Sequence, residues 1–184
     1  MEETLESMMR AYAAGDRLAF ARLFERTRAG IYSFFLRSIR DPRAAEDLMQ
    51  IAFLKLHAAR SSYDPSLPFL PWLFTIANRV RLDEFRRRHR LPPQAGEEAL
   101  EQIEIEDDPA ERVAKAQRDR SIDAALDALP ETQRVVLQLR HVEGMSFAEI
   151  ARVLGAPEGA LRVRATRGYE KLRALLREGG SDDT

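Results

Sequence analysis

The sequence predicts an all-α protein of two small helical domains, an N-terminal helical bundle and a C-terminal helix-turn-helix domain, joined by an acidic linker. Three observations carry that expectation. Apolar residues recur at spacings of three and four, with no strand-like alternation of two and no internal repeat. Residues 91–108 hold seven carboxylates and not one basic residue, whereas residues 1–90 hold 16 basic against 11 acidic side chains and residues 109–184 hold 13 against 12. From about Met145 to Leu172, two amphipathic helical patterns are separated by Gly155, Ala156 and Pro157. The boundaries that follow are 1–90, 91–108 and 109–184.

In the first domain, a long helix can start at Asp16 after Gly15 and stop near Arg40, lining one face with Phe20, Leu23, Phe24, Ile31, Phe34 and Phe35. Asp41 and Pro42 restart the chain. Asp caps the helix, and Pro takes its first position, where a missing N–H costs nothing. This helix buries Ala45, Leu48, Ala52 and Leu56 and turns Glu46, Asp47 and Gln50 to solvent, with Met49 and Phe53 expected beside them at the surface. The stretch from Ser61 to Phe69 contains two prolines and several turn formers, and so reads as a loop. A helix restarts at Pro71, carries Trp72, Leu73, Ile76, Ala77 and Val80 inward, and ends in Arg86, Arg87, Arg88, His89 and Arg90.

The linker has Pro92, Pro93 and Gly96 and little to bury beyond Leu91, Leu100, Ile103 and Ile105. From Pro109 a second helical unit begins. Ile122, Leu126 and Leu129 share one face, Pro130 breaks the pattern, and Val135, Val136, Leu139 and Val142 precede Gly144. Ser146 then caps a short helix whose apolar residues Phe147, Ile150, Ala151 and Leu154 fall on one side. Gly155 ends it. In the following helix Leu161, Ala165 and Leu172 point inward, and at about 100° per residue the outward arc is Val163, Thr166 and Arg167, flanked by Arg162 and Arg164. Those five are the candidate readers of a major groove. An arginine can donate twice to guanine, and Val and the Thr methyl suit the methyl of thymine. The helix start, Glu158 to Ala160, offers backbone N–H groups to phosphate.

These motifs resemble the extracytoplasmic-function sigma factors of bacterial RNA polymerase. The resemblance rests on Ala45-Glu-Asp-Leu-Met-Gln-Ile-Ala-Phe53, on Pro71-Trp-Leu-Phe-Thr-Ile-Ala77 followed by Leu82, Asp83 and Arg86 to Arg88, and on Ala128-Leu-Pro-Glu131 leading into the helix-turn-helix. It covers nearly the whole chain. The resemblance implies that Glu46, Asp47, Met49, Gln50 and Phe53 contact core polymerase. It implies that the Ser61–Phe69 loop accepts a flipped base of the minus-ten element, with Tyr63 or Phe69 available for stacking. Asn78, Arg79, Asp83, Arg86 and Arg87 would then hold the melted strand, the arginines chiefly through phosphates. Arg162, Val163, Arg164, Thr166 and Arg167 would read the upstream, minus-thirty-five element. Relatives of this kind are held by an anti-sigma factor, which is the further partner implied beside core polymerase and promoter DNA.

Three positions depart from the family pattern. Asn is common where this chain has Arg79, and here Asn78 stands one place earlier. Ser is frequent at Val163, and His or an aromatic at Thr166, so the upstream sequence does not transfer. The acidic linker has two readings, a solvated tether or a mimic of the anionic template and RNA.

Other functions are less well served. No cysteine is present, and His57, His89 and His141 lie far apart, so neither a thiolate nucleophile nor a metal site is expected. No Gly-rich phosphate loop appears, and Glu46 and Asp47 diverge by about 100° on a helix, too far for an acid/base pair. An enzyme, a cofactor and membrane insertion are therefore not expected, and a cytoplasmic location is. An autonomous regulator using only the helix-turn-helix would leave the Trp72–Arg88 segment without a purpose.

Overall fold

A computed structural model describes residues 3–92, 94–96 and 122–178 of the chain. Most of the predicted 91–108 linker and the expected domain start at Pro109 lie outside these residues. Eight α-helices are found among them: α1 (Leu5–Ala13), α2 (Arg17–Ile39), α3 (Pro42–Ala59), α4 (Phe69–His89), α5 (Ile122–Asp127), α6 (Glu131–His141), α7 (Phe147–Leu154) and α8 (Glu158–Glu178). They form two compact units. The first is built on α1–α4 and the second on α5, α6 and α8, with α7 between the last two in sequence.

Local chemistry sets the helix boundaries. Asp16 accepts from the backbone N–H groups of Leu18 and Ala19, and Asp41 from those of Arg43 and Ala44, which satisfies donors that a helix start leaves unpaired. Arg40 closes α2 in the left-handed region at φ 57°, so the turn into Asp41 is made by a residue that tolerates it at a cost of about 1 kcal/mol. A single 3-10 turn, Arg60–Ser62, follows α3. The helix α4 begins at Phe69, two residues before the predicted Pro71. Pro71 falls in the first turn, where its missing N–H has no intrahelical bond to break.

The core of the first unit is aromatic. Phe34 and Phe35 are fully buried, and Phe34 meets Phe74 of α4 edge to face with centroids 5.4 Å apart. Met8, Met9 and Tyr12 of α1, Leu23 and Ile31 of α2, and Leu48 and Leu56 of α3 fill the space between the helices.

In the second unit, Val135, Val136, Leu137 and Leu139 bury α6, and Ala125, Ala128 and Leu175 cluster with Leu172. Leu129 is buried as predicted, whereas Val142 is 63% exposed, since it is the residue capping α6 and lies past the buried stripe. The helices α6 and α8 touch closely at Gly168, where an added Cβ would stand 3.1 Å from Leu137 Cδ1. Glycine at that position lets two helix backbones approach, and the helical pattern alone does not reveal it.

Candidate nucleic-acid and polymerase interfaces

The helix-turn-helix is fixed at both ends of its short helix. Ser146 Oγ accepts from the Glu149 backbone N–H at 3.2 Å while Glu149 Oε2 accepts from the Ser146 backbone N–H at 2.7 Å, a reciprocal box that satisfies two donors at once. Gly155 then ends α7 at φ 66°, a conformation in which a side chain would be strained.

On α8, Leu161 and Ala165 are buried while Arg162, Val163, Thr166 and Arg167 are exposed and Arg164 is half-buried. Their arrangement follows the predicted arc. Val163, half exposed at 50%, has no core to fill. Thr166 donates its hydroxyl to the Arg162 carbonyl at 3.0 Å, so that to a partner it offers its methyl and an acceptor oxygen but no donor.

Arg162 is less free than the sequence implied. Its guanidinium pairs with Glu158 one turn earlier and lies 4.6 Å from the centroid of the Phe147 ring. Arg140 approaches the same ring at 5.5 Å and donates to the Met145 carbonyl at 2.8 Å. Phe147 was expected among the inward apolar residues of α7, yet it is only half-buried and is contacted by two arginines. The signal was an aromatic with arginines at α6 and α8 positions, and only the fold brings these three segments together.

In the first unit, Glu46, Asp47 and Gln50 are exposed on α3, as expected, and Met49 is half-buried. Phe53 is not at the surface. It is 5% exposed and packs edge-on to Phe24 at 4.8 Å and to Phe20 at 6.4 Å. At about 100° per residue Phe53 sits at the margin of the buried arc, and the two α2 rings are long enough to cover it. The exposed apolar residues on α3 are instead Ile51 and Leu54, at 40% and 68%. They lie on the same face as Glu46, Asp47 and Gln50, one and two turns further along.

Tyr63 and Phe69 are both buried, 7% and 0% exposed. Together with half-buried Trp72 they form a triad with centroid separations of 5.0 to 6.0 Å. The Tyr63 hydroxyl donates to the Leu67 carbonyl at 2.7 Å, so the ring pins the loop from below rather than standing open for stacking.

Along α4 the predicted strand-holding residues separate into different environments. Asn78 is buried and accepts from Arg81 Nε at 2.9 Å, and Arg81 is itself fully buried with its guanidinium 5.9 Å from the Phe34 centroid. Asn78 thus belongs to an internal polar pair, and Arg79 is exposed. Asp83 accepts from Lys55 of α3 at 3.2 Å and from Arg86 at 2.9 Å, which makes it a tie between helices. Arg87 is 73% exposed along its side chain, and Glu84 holds both it and Arg88 at 2.7 and 2.6 Å. The hydrogen bond from Arg87, followed by that from Arg88, outweighs burial and keeps the Glu84 carboxyl below the usual carboxylate range. Sequence reading missed Glu84 because an i,i+3 and an i,i+4 acid on an arginine-rich helix look like ordinary surface charge.

Residues 23–91 match the Sigma-70 region 2 family and residues 119–172 match the Sigma-70, region 4 family. The chain is 36% identical over 174 residues to the RNA polymerase sigma factor CarQ of Myxococcus xanthus, covering 92% of this chain and 96% of that protein. It is 30% identical over 178 residues to the ECF RNA polymerase sigma factor SigK of Mycobacterium sp. (strain KMS), covering 94% and 90%. Among solved structures, CnrH in complex with the cytosolic domain of CnrY is similar with a TM-score of 0.64 at 26% identity, over 94% of this chain and 96% of that one.

Proposed function

Because this chain belongs to the extracytoplasmic-function sigma factors of RNA polymerase, we propose that its two units divide promoter recognition between the upstream element and the melted minus-ten strand. The observation that carries the proposal is the outward face of α8, where Val163, Thr166 and Arg167 are exposed over a buried Leu161 and Ala165. A helix that holds its apolar stripe inward and presents two arginines, a valine and a threonine methyl has the dimensions and donors for a major groove. Arg162 contributes a guanidinium held over the Phe147 ring once DNA displaces Glu158 from it, and Arg164 acts from the side.

In the first unit, Arg79, Arg86 and Arg87 line the α4 surface available to a phosphate backbone, and Trp72 is the ring of the aromatic triad with exposed area. Tyr63 and Phe69 support that ring from within, Asp83 sets the position of Arg86, and the Asn78 amide oxygen holds Arg81 in the core. The core polymerase contact is the α3 face of Glu46, Asp47, Gln50, Ile51 and Leu54, with Met49 at its edge and Phe53 holding it from beneath. Polar residues around exposed Leu and Ile give the mixed surface of a regulated protein interface. Control by an anti-sigma factor is supported by the solved relative, a complex of CnrH with the cytosolic domain of CnrY.

Reconstitution tests the proposal. The purified chain, added to core polymerase with a library of genomic promoter fragments, should give run-off transcripts from a discrete set of start sites. Failure to bind core would overturn it.

A further inference from the structure

The start of α4 is held by a residue far away in sequence. A helix leaves its first N–H groups without intrahelical partners. Here the residue before the helix is Pro68, which provides no side-chain cap, and Pro71 carries no N–H at all. The Phe69 backbone N–H instead donates to Glu6 Oε1 at 2.9 Å, across 63 residues of sequence. A carboxylate at this end also meets the positive pole of the helix. Glu6 is half-buried in the first turn of α1, whose buried face is Met8, Met9 and Tyr12.

The Ser61–Phe69 loop therefore has a tether at each side. Within it, Tyr63 donates to the Leu67 carbonyl, and its ring meets Phe69 edge to face and Trp72 at a tilt. Burial first, and then the nearby charges of Glu6 and Asp64, push the Tyr63 phenol upward and keep it a donor.

We propose that Glu6 is a positioning residue for capture of the minus-ten base: by anchoring the Phe69 N–H it sets where the loop and the Trp72 ring stand. This rests on the assignment of that loop to base capture. Glu6 itself touches no DNA.

The test uses holoenzyme reconstituted with the full chain and single-stranded oligonucleotides of its own minus-ten sequence, intact or abasic at one position at a time. The readout is the ratio of intact to abasic affinity at the most sensitive position. Glu6→Ala should lower that ratio about tenfold, the loss expected when one hydrogen bond is left unmade, while affinity for core polymerase stays unchanged. Glu6→Gln keeps an acceptor at the same reach and should stay within about twofold. Glu6→Asp keeps the charge but is one methylene short. It should fall as Glu6→Ala does, and it decides the matter if the alanine variant does not fold. A loss in Glu6→Gln equal to that in Glu6→Asp overturns the proposal, as does an unchanged ratio in both Glu6→Ala and Glu6→Asp. Tyr63→Ala and Trp72→Ala separate the two levels. If they lower the ratio and the Glu6 variants do not, the loop assignment stands and the role of Glu6 fails. If they leave it unchanged, the loop assignment fails and the role of Glu6 falls with it.

Discussion

Replacing Glu158 with glutamine should tighten promoter binding, although Glu158 makes an ion pair in the structure. The pair is exposed, with side-chain accessibilities of 60% for Arg162 and 42% for Glu158, so it contributes less than about 1 kcal/mol to folding. For DNA, however, Glu158 does two unfavourable things. It occupies a guanidinium that a phosphate or a guanine would otherwise take, and it puts a negative charge at the face that approaches a polyanion. Breaking the pair costs about 0.5 kcal/mol, and a charge about 6 Å from a phosphate in water adds about 0.7 kcal/mol before salt screening. Together these amount to about 1 kcal/mol, or roughly fivefold in affinity. The assay is holoenzyme binding to a duplex promoter across a salt series. Glu158→Gln should bind about fivefold tighter at low salt, and its salt slope should steepen by about 0.9 because one more cation is available to displace a counterion. Weaker binding with an unchanged slope would refute this reasoning and make Glu158 the residue that aims Arg162.

Three further predictions separate surface from support. Leu54→Asp should abolish core binding with a change in unfolding free energy below about 0.5 kcal/mol, whereas Phe53→Ala should cost about 3 kcal/mol or more in urea melts because Phe53 packs against Phe20 and Phe24. Arg167→Ala should cost about 1–3 kcal/mol on the matched upstream element and much less on a scrambled one if it reads a base, while a uniform, salt-sensitive loss would mark a phosphate contact. Since the Glu84 carboxyl titrates below its unfolded value, its stabilisation is complete above the unfolded range and is lost as pH falls through the folded value. Glu84→Gln should accordingly flatten the acid limb of the stability curve between about pH 5 and pH 3.

Helix positions from α2 onward and the α8 arc were legible because they depend on periodicity and caps, which are local, whereas α1 was not placed. Asp16, Asp41, Ser146 and Gly155 each act within four residues of themselves. What escaped was set by neighbours. Phe53 has the spacing of a surface residue and is covered by rings from another helix. Asn78 has the position of a strand contact, yet its amide oxygen serves Arg81, a buried guanidinium that no helical pattern would place in a core. Gly168 looks like a defect in an arginine-rich helix until Leu137 is found opposite it. For Phe53 and Gly168 the deciding group lies on another element, and for Asn78 the partner one turn along is itself buried against Phe34 of α2, which periodicity does not reveal.

The chain carries a net charge of −1, and the arginines proposed to meet DNA are set among acids of its own. Several of its candidate DNA-facing cations carry their own acids: Glu84 for Arg87 and Arg88, Asp83 for Arg86, and Glu158 for Arg162. Exchanging an intramolecular carboxylate for a phosphate replaces one anion with another, so each contact gains less than a bare arginine would, and non-specific duplex is held weakly. Methyl contacts, and base-edge donors on side chains that hold no acid of their own, are not discounted in this way. Internal pairing therefore lowers the background more than the signal. A factor that must find few promoters among many non-specific sites gains selectivity from acids that, considered one at a time, only weaken its grip.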